Sequence, residues 1–111
     1  MKHLILIRHA ESAEKVTGTT DEQRELTLNG MHQSALSGTF LRDKLPIDII
    51  FSSTAVRAST TAQIIAEQLG LPADDIVEEI NLYQASVGTL FNFIRDTDQH
   101  QNIAIVGHTQ P

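Results

Sequence analysis

Leu4-Ile5-Leu6-Ile7-Arg8-His9-Ala10-Glu11-Ser12 runs four aliphatic residues directly into an arginine and a histidine. An unbroken apolar run of this length, half of it β-branched, is too short for an ordinary helix and predicts a strand buried on both faces. Its charged pair then stands at the carboxyl end of the strand. Ligands of open α/β sheets collect in the crevice outside the carboxyl ends of the strands, so Arg8 and His9 are placed where a substrate would sit. Taken alone, the stretch equally fits a strand that ends in polar residues at the surface.

Working outward, two more aliphatic runs end the same way. Residues 47–51, broken only by Asp48, lead into Ser52-Ser53-Thr54, and residues 103–106 lead into Gly107-His108. Between the runs lie helical patterns. Thr27 or Asn29 can cap a helix in which Met31, Ala35, Gly38, Leu41 and Leu45 recur at three- and four-residue steps before Pro46. Ala58, Ala62, Ile65 and Leu69 form a second stripe, ended by Gly70 and Pro72. Ile76-Val77 reads as a short strand, residues 78–85 have no clear period, and Ser86 can cap a third helix carrying Val87, Leu90, Phe91 and Ile94. Residues 13–25 are polar and read as a loop able to cover the site. The order β-α-β-α-β-α-β predicts an α/β fold of three layers, α/β/α, with a mainly parallel central sheet.

Bulk properties narrow the function. A chain of 111 residues forms one domain, spanning 1–111, that buries roughly two thirds of its unfolded surface. It has no cysteine, which excludes disulfides and thiolate metal sites and fits a reducing compartment. The four aliphatics after His3 are too few for a signal peptide, and no run approaches the ~20 residues of a membrane span, so a cytoplasmic protein without a membrane partner is expected. Eight basic against fourteen acidic residues, a net charge of -6, argue against nucleic acid as the main partner. An anionic substrate therefore needs a local basic pocket.

Arg8, Arg57, His9 and His108, gathered over strand ends, would make such a pocket. Arginine stays protonated and its planar fork matches phosphate oxygens, so a phosphate dianion is the natural guest. Arg57 is expected in the first turn of its helix, where free N–H groups and the positive dipole end add to the same field. A neutral imidazole can attack phosphorus without a separate base, and His9, beside Arg8 at a strand end, is the better candidate; His108 as a cation would stabilise the transferring phosphoryl oxygens.

With these residues in place the chain resembles the histidine phosphatase superfamily, the phosphoglycerate-mutase-like group with an Arg-His-Gly signature. Four motifs carry the resemblance: Arg8-His9-Ala10-Glu11-Ser12; Leu26-Thr27 with Gly30, Gln33, Gly38 and Leu41; Ser53 with Arg57, Ala58, Thr61 and Ala62; and Gly107-His108. It implies a phosphoglycerate-mutase-like fold, His9 as the transiently phosphorylated nucleophile, Arg8, Arg57 and His108 as phosphoryl ligands, and neither metal nor cofactor. Ala10 departs from the usual glycine. The short segment before Arg24-Glu25-Leu26-Thr27 is most similar to the small SixA-type phosphohistidine phosphatases, which implies a phosphohistidine-bearing protein as substrate and a place in signal transduction. A small-molecule phosphatase or mutase would need a general acid, for which Glu79 is the candidate, with Glu78 and the non-acidic Gln84 as alternative registers. Relatives continue beyond the Gly-His motif, so a domain lacking C-terminal elements is expected, with a sheet edge through which a dimer could form or, at the extreme, an inactive phosphate-binding module.

Other candidates have plainer readings. His3, His32 and His100 stand in no motif, Glu11 can cap a turn, Thr61 can pack within its helix, and Ser53 can bond within its turn. Glu67, Asp74 and Asp75 read as solvated charge.

Overall fold

The computed structural model describes residues 3–14, 17–79 and 102–107. Each aliphatic run within them is a strand: β1 (His3–Arg8), β2 (Ile49–Ser52), β3 (Ile76–Glu78) and β4 (Asn102–Gly107). Two helices separate them, α1 (Leu28–Arg42) and α2 (Val56–Leu69), with single 3-10 turns at Asp21–Gln23 and Ala73–Asp75. The strands form one sheet in the order β1-β4-β2-β3, and all three pairings are parallel.

Register sorts the side chains onto two faces. Ile5 and Ile7 stand opposite Ala104 and Val106, and with Ile50 they meet the buried face of α2 at Ala58, Ala62, Ile65 and Ala66. Leu4 and Leu6 stand opposite Ile103 and Ile105 on the other face, where Ile49 and Phe51 complete a second cluster. The parallel α/β sheet with one helical layer is thus in place. The helix expected from Ser86 onward lies outside the described residues.

The expectation for β1 needs correction. Leu4 and Leu6 are 39% and 51% exposed, whereas their register partners Ile103 and Ile105 are buried. The difference follows from position: β4 lies between two strands, while β1 pairs on one side only among the described residues. An aliphatic run records burial propensity, not the number of neighbours a strand acquires.

α1 also packs differently from its periodicity. Gly38 is buried and Leu41 packs against the core as the spacing predicts, but the other buried residues are Gly30 and Ser34, one residue out of phase with Met31 and Ala35, and Met31 is exposed. The reason is close approach. A Cβ at Gly30 would collide with the backbone carbonyl of Glu11, and one at Gly38 would come within 2.7 Å of Gln68 Cβ on α2. The helix starts as expected, with Thr27 Oγ1 accepting from Gly30 N–H at 2.9 Å, but it ends at Arg42, short of Pro46. α2 follows its sequence pattern and stops at Gly70, whose φ of 75° suits glycine.

Candidate active site

The segments that follow β1 and β2 leave the carboxyl edge of the sheet on either side of β4. His9 N–H donates to Gly107 O at 3.1 Å, continuing the β1 ladder by one residue, and Ser53 N–H donates to Val106 O at 3.0 Å. The segments that follow β1 and β2 therefore flank the end of β4. His108, the next residue of that strand's sequence, lies outside the described residues, as do Gln84 and His100.

The His9 ring is oriented locally. Its Nδ1 lies 2.8 Å from Ala10 O. A carbonyl oxygen only accepts, so Nδ1 carries a proton, and in the neutral ring the lone pair is then on Nε2. Arg8 and His9 line a hollow of about 410 Å³ with Ile7, Ala10, Gln33, Ser34, Thr61 and other residues of α1 and α2. Arg8 is exposed, and no hydrogen bond or ion pair engages its guanidinium among the described residues.

The loop after His9 is clasped from two sides. Ala10 N–H donates to Thr61 Oγ1 at 3.2 Å, and Thr61 Oγ1 donates to Arg57 O at 2.7 Å. On the α1 side Glu11 N–H donates to Gln33 Oε1 (3.1 Å), Thr27 N–H donates to Glu11 O (3.1 Å), and the Glu11 carboxylate accepts from Thr27 Oγ1 (2.7 Å). Glu11 is thus a turn-holding residue. Thr61 does more than pack: it links the His9 loop to the turn of α2 that carries Arg57.

Arg57 sits in the first turn of α2, as its spacing predicts, but its side chain is only 4% exposed and is not part of the hollow at His9. Its Nη1 donates to Asp21 O at 2.7 Å and its Nη2 to Asp21 Oδ2 at 2.9 Å. Ser53 Oγ accepts from Ala55 N–H at 3.2 Å, a bond within its turn. Glu79 follows β3, its N–H donating to Ser52 O at 2.8 Å, so it too lies at the carboxyl edge. β3 is three strand spacings from β1, about 14 Å, and Glu79 is not among the residues lining the hollow at His9. Glu78 accepts from Ser59 Oγ at 2.6 Å instead of facing the site. His3, His32, Glu67 and Asp74 are exposed. Among the described residues no three His, Asp or Glu side chains converge as metal ligands would.

Sequence reasoning gave no site role to Asp21, Glu22 or Arg24, which tie residues 17–25 to the start of α2 as a strap. Asp21 joins Arg24 and Arg57, and Glu22 Oε2 accepts from Thr54 Oγ1 at 2.5 Å. The signal was present. Thr20-x-x-Gln23 has capping-box spacing, and Gln23 Oε1 accepts from Thr20 N–H at 2.9 Å.

Comparisons with known proteins agree with this fold. A structure from Agrobacterium tumefaciens assigned as a phosphohistidine phosphatase SixA superposes with a TM-score of 0.85 at 30% identity, covering 95% of this chain and 68% of that one. The mitochondrial serine/threonine-protein phosphatase Pgam5 of Drosophila willistoni is 39% identical over 69 residues, 61% of this chain and 23% of that protein. A 2,3-bisphosphoglycerate-dependent phosphoglycerate mutase of a Chelativorans species is 34% identical over 96 residues, 84% of this chain and 47% of that protein. The chain thus spans less than half the length of either curated relative. The family model for branch 1 of the histidine phosphatase superfamily matches residues 4–90, and the chain belongs to that superfamily.

Proposed function

We propose that the protein is a phosphohydrolase working through a phosphohistidine at His9, and that its substrate is phosphohistidine borne by another protein. The observation that carries the reading is the His9 ring: the 2.8 Å contact from Nδ1 to Ala10 O leaves the lone pair on Nε2, at a hollow that Arg8 also lines. Nε2 attacks phosphorus, the substrate's P–N bond breaks with its electron pair going to the leaving nitrogen, and the leaving ring departs as neutral imidazole because its other nitrogen carries a proton taken from solvent. Water then attacks the phosphoryl group on His9, regenerating the ring and releasing inorganic phosphate. Arg8, Arg57 and His108 hold the phosphoryl oxygens. Positioning and preorganised charge are most of what such a transfer needs.

Leaving-group chemistry favours phosphohistidine over an ester. A histidine ring takes up a proton near a pKa of ~6.5, so close to neutral pH a ring protonated at its free nitrogen leaves as neutral imidazole, whereas an alkoxide needs a proton donor in the site. Glu79 is the candidate donor, and it stands at the opposite edge of the described sheet from β1. The similarity to the phosphoglycerate mutase keeps a small-phosphoester reading as the second one, in which Glu79 protonates the leaving oxygen. A cytoplasmic setting suits a protein substrate of this kind, and no helix of the described residues is long and apolar enough to cross a membrane.

Phosphate release from a phosphohistidine-bearing protein and from p-nitrophenyl phosphate tests both. Release from the first, persisting in EDTA and lost in His9→Ala, is expected; turnover of the ester alone would hand the site to the second reading.

A further inference from the structure

We propose that Asp21 is a positioning residue that presents Arg57 to the phosphoryl group; the inference rests on the phosphatase reading above. A guanidinium with 5% side-chain exposure must have its charge met locally, and Asp21 meets it twice, through its backbone carbonyl at 2.7 Å and its carboxylate at 2.9 Å. Two acceptors from one residue fix the plane of the fork as well as its place. They use two of the five N–H groups, and the other three have no partner among the described residues.

Asp21 is itself held. Its Oδ1 accepts from Arg24 Nη1 at 3.1 Å, while Arg24 Nε donates to Ala13 O at 2.9 Å and Nη2 to Ser12 Oγ at 2.8 Å. From the other side Thr61 joins Ala10 N–H to Arg57 O. The hydrogen bonds close a circuit: Ala10, Thr61, Arg57, Asp21, Arg24, then Ser12 and Ala13 on the same loop. Arg57 is thereby referenced to the His9 loop through both its backbone and its side chain. Asp21 also brings negative charge, which opposes phosphate binding, so a role in holding the fork and a role through charge alone predict opposite effects of neutralising it.

That sign gives the test. Inorganic phosphate affinity by calorimetry, with kcat and KM on the phosphohistidine protein, is measured for wild type, Asp21→Ala, Asp21→Asn, Arg57→Ala and the Asp21→Ala/Arg57→Ala double variant. Asp21→Ala is expected to weaken phosphate binding roughly tenfold and to raise KM, whereas Asp21→Asn, which keeps an acceptor and drops the charge, binds as well as wild type or better. In the Arg57→Ala background Asp21→Ala should change nothing further. Asp21→Ser replaces the alanine variant if that one fails to fold. Unchanged affinity in the shortened variants, equal losses from Asn and Ala, or an equal loss without Arg57 would overturn the assignment. Retained turnover with phosphate affinity indifferent to Arg57 would sink the positioning role and leave the phosphatase reading standing. A wild type that neither binds phosphate nor turns over removes both.

Discussion

Arg8 and Arg57 are the same residue type at neighbouring corners of one sheet edge, yet they are prepared in opposite ways. Arg8 ends a strand that pairs on one side among the described residues, is exposed, and borders both the 410 Å³ hollow at His9 and an apolar groove of about 500 Å³ along β1 and α1. Arg57 begins a helix against the core, is buried, and is gripped by Asp21. A free arginine must give up rotamer freedom, up to about 2 kcal/mol, when it binds a phosphate, and one already held gives up little. The pairing combines one cation that can follow the substrate in with one that is already set. The difference traces to the strands: β2 is interior and its carboxyl end is covered by the strap, while β1 is covered on one side only among the described residues.

Removing each cation in turn should give the largest effects and separate the two corners. Arg8→Ala and Arg57→Ala are each expected to slow phosphate release about 10²-fold, the loss typical of one charge-stabilising donor. Only Arg57→Ala should also lower the melting temperature, by about 1–3 kcal/mol of stability, because it strips bonds from a charged, buried group. Equal melting temperatures for the two variants would show that the burial contrast has no energetic content. Gly30→Ala comes next. Its Cβ would enter the space of the Glu11 carbonyl, so α1 and the loop bearing His9 must separate, at about 1–3 kcal/mol. Turnover should fall with stability, read from urea midpoints and phosphate release on the same samples. A stable Gly30→Ala protein with slow turnover would sharpen the case that the close approach serves the loop.

The interior corner was the more legible one in the sequence. α2 keeps its apolar period from Ala58 to Leu69 and ends at a left-handed glycine, so its extent and the place of Arg57 in its first turn follow from local pattern. β1 was legible as a strand, but its half-exposed Leu6 was not, because an aliphatic run carries no record of what covers each face. The first half of α1 misled for a related reason: where it meets the Glu11 carbonyl the buried residues are Gly30 and Ser34, which a search for apolar spacing passes over, whereas Gly38 fell on the expected stripe. Of the site, His9 and Arg8 stand together as their adjacency requires. The Arg57 partner was hidden in a polar loop whose aspartate and arginine look like ordinary solvated charge until the strap folds over α2.

The smallest effect, and the finest probe of the contrast, belongs to Thr61, where the two corners meet. Its hydroxyl takes the Ala10 N–H and gives its own hydrogen to Arg57 O, so one oxygen ties the exposed corner to the buried one. Valine has nearly the same shape and can do neither. Thr61→Val should therefore lose about 1 kcal/mol, the net worth of a hydrogen bond at a partly buried donor. If the bond aligns the His9 loop, a similar amount appears in the barrier, a roughly fivefold slower turnover, with phosphate affinity barely changed because Arg57 keeps its grip on Asp21. Thr61→Ser, which restores the oxygen without the methyl, should recover turnover more fully than stability. A valine variant that melts early yet turns over at the wild-type rate would mean that the loop finds its geometry from the α1 side alone, through Glu11, Gln33 and Thr27.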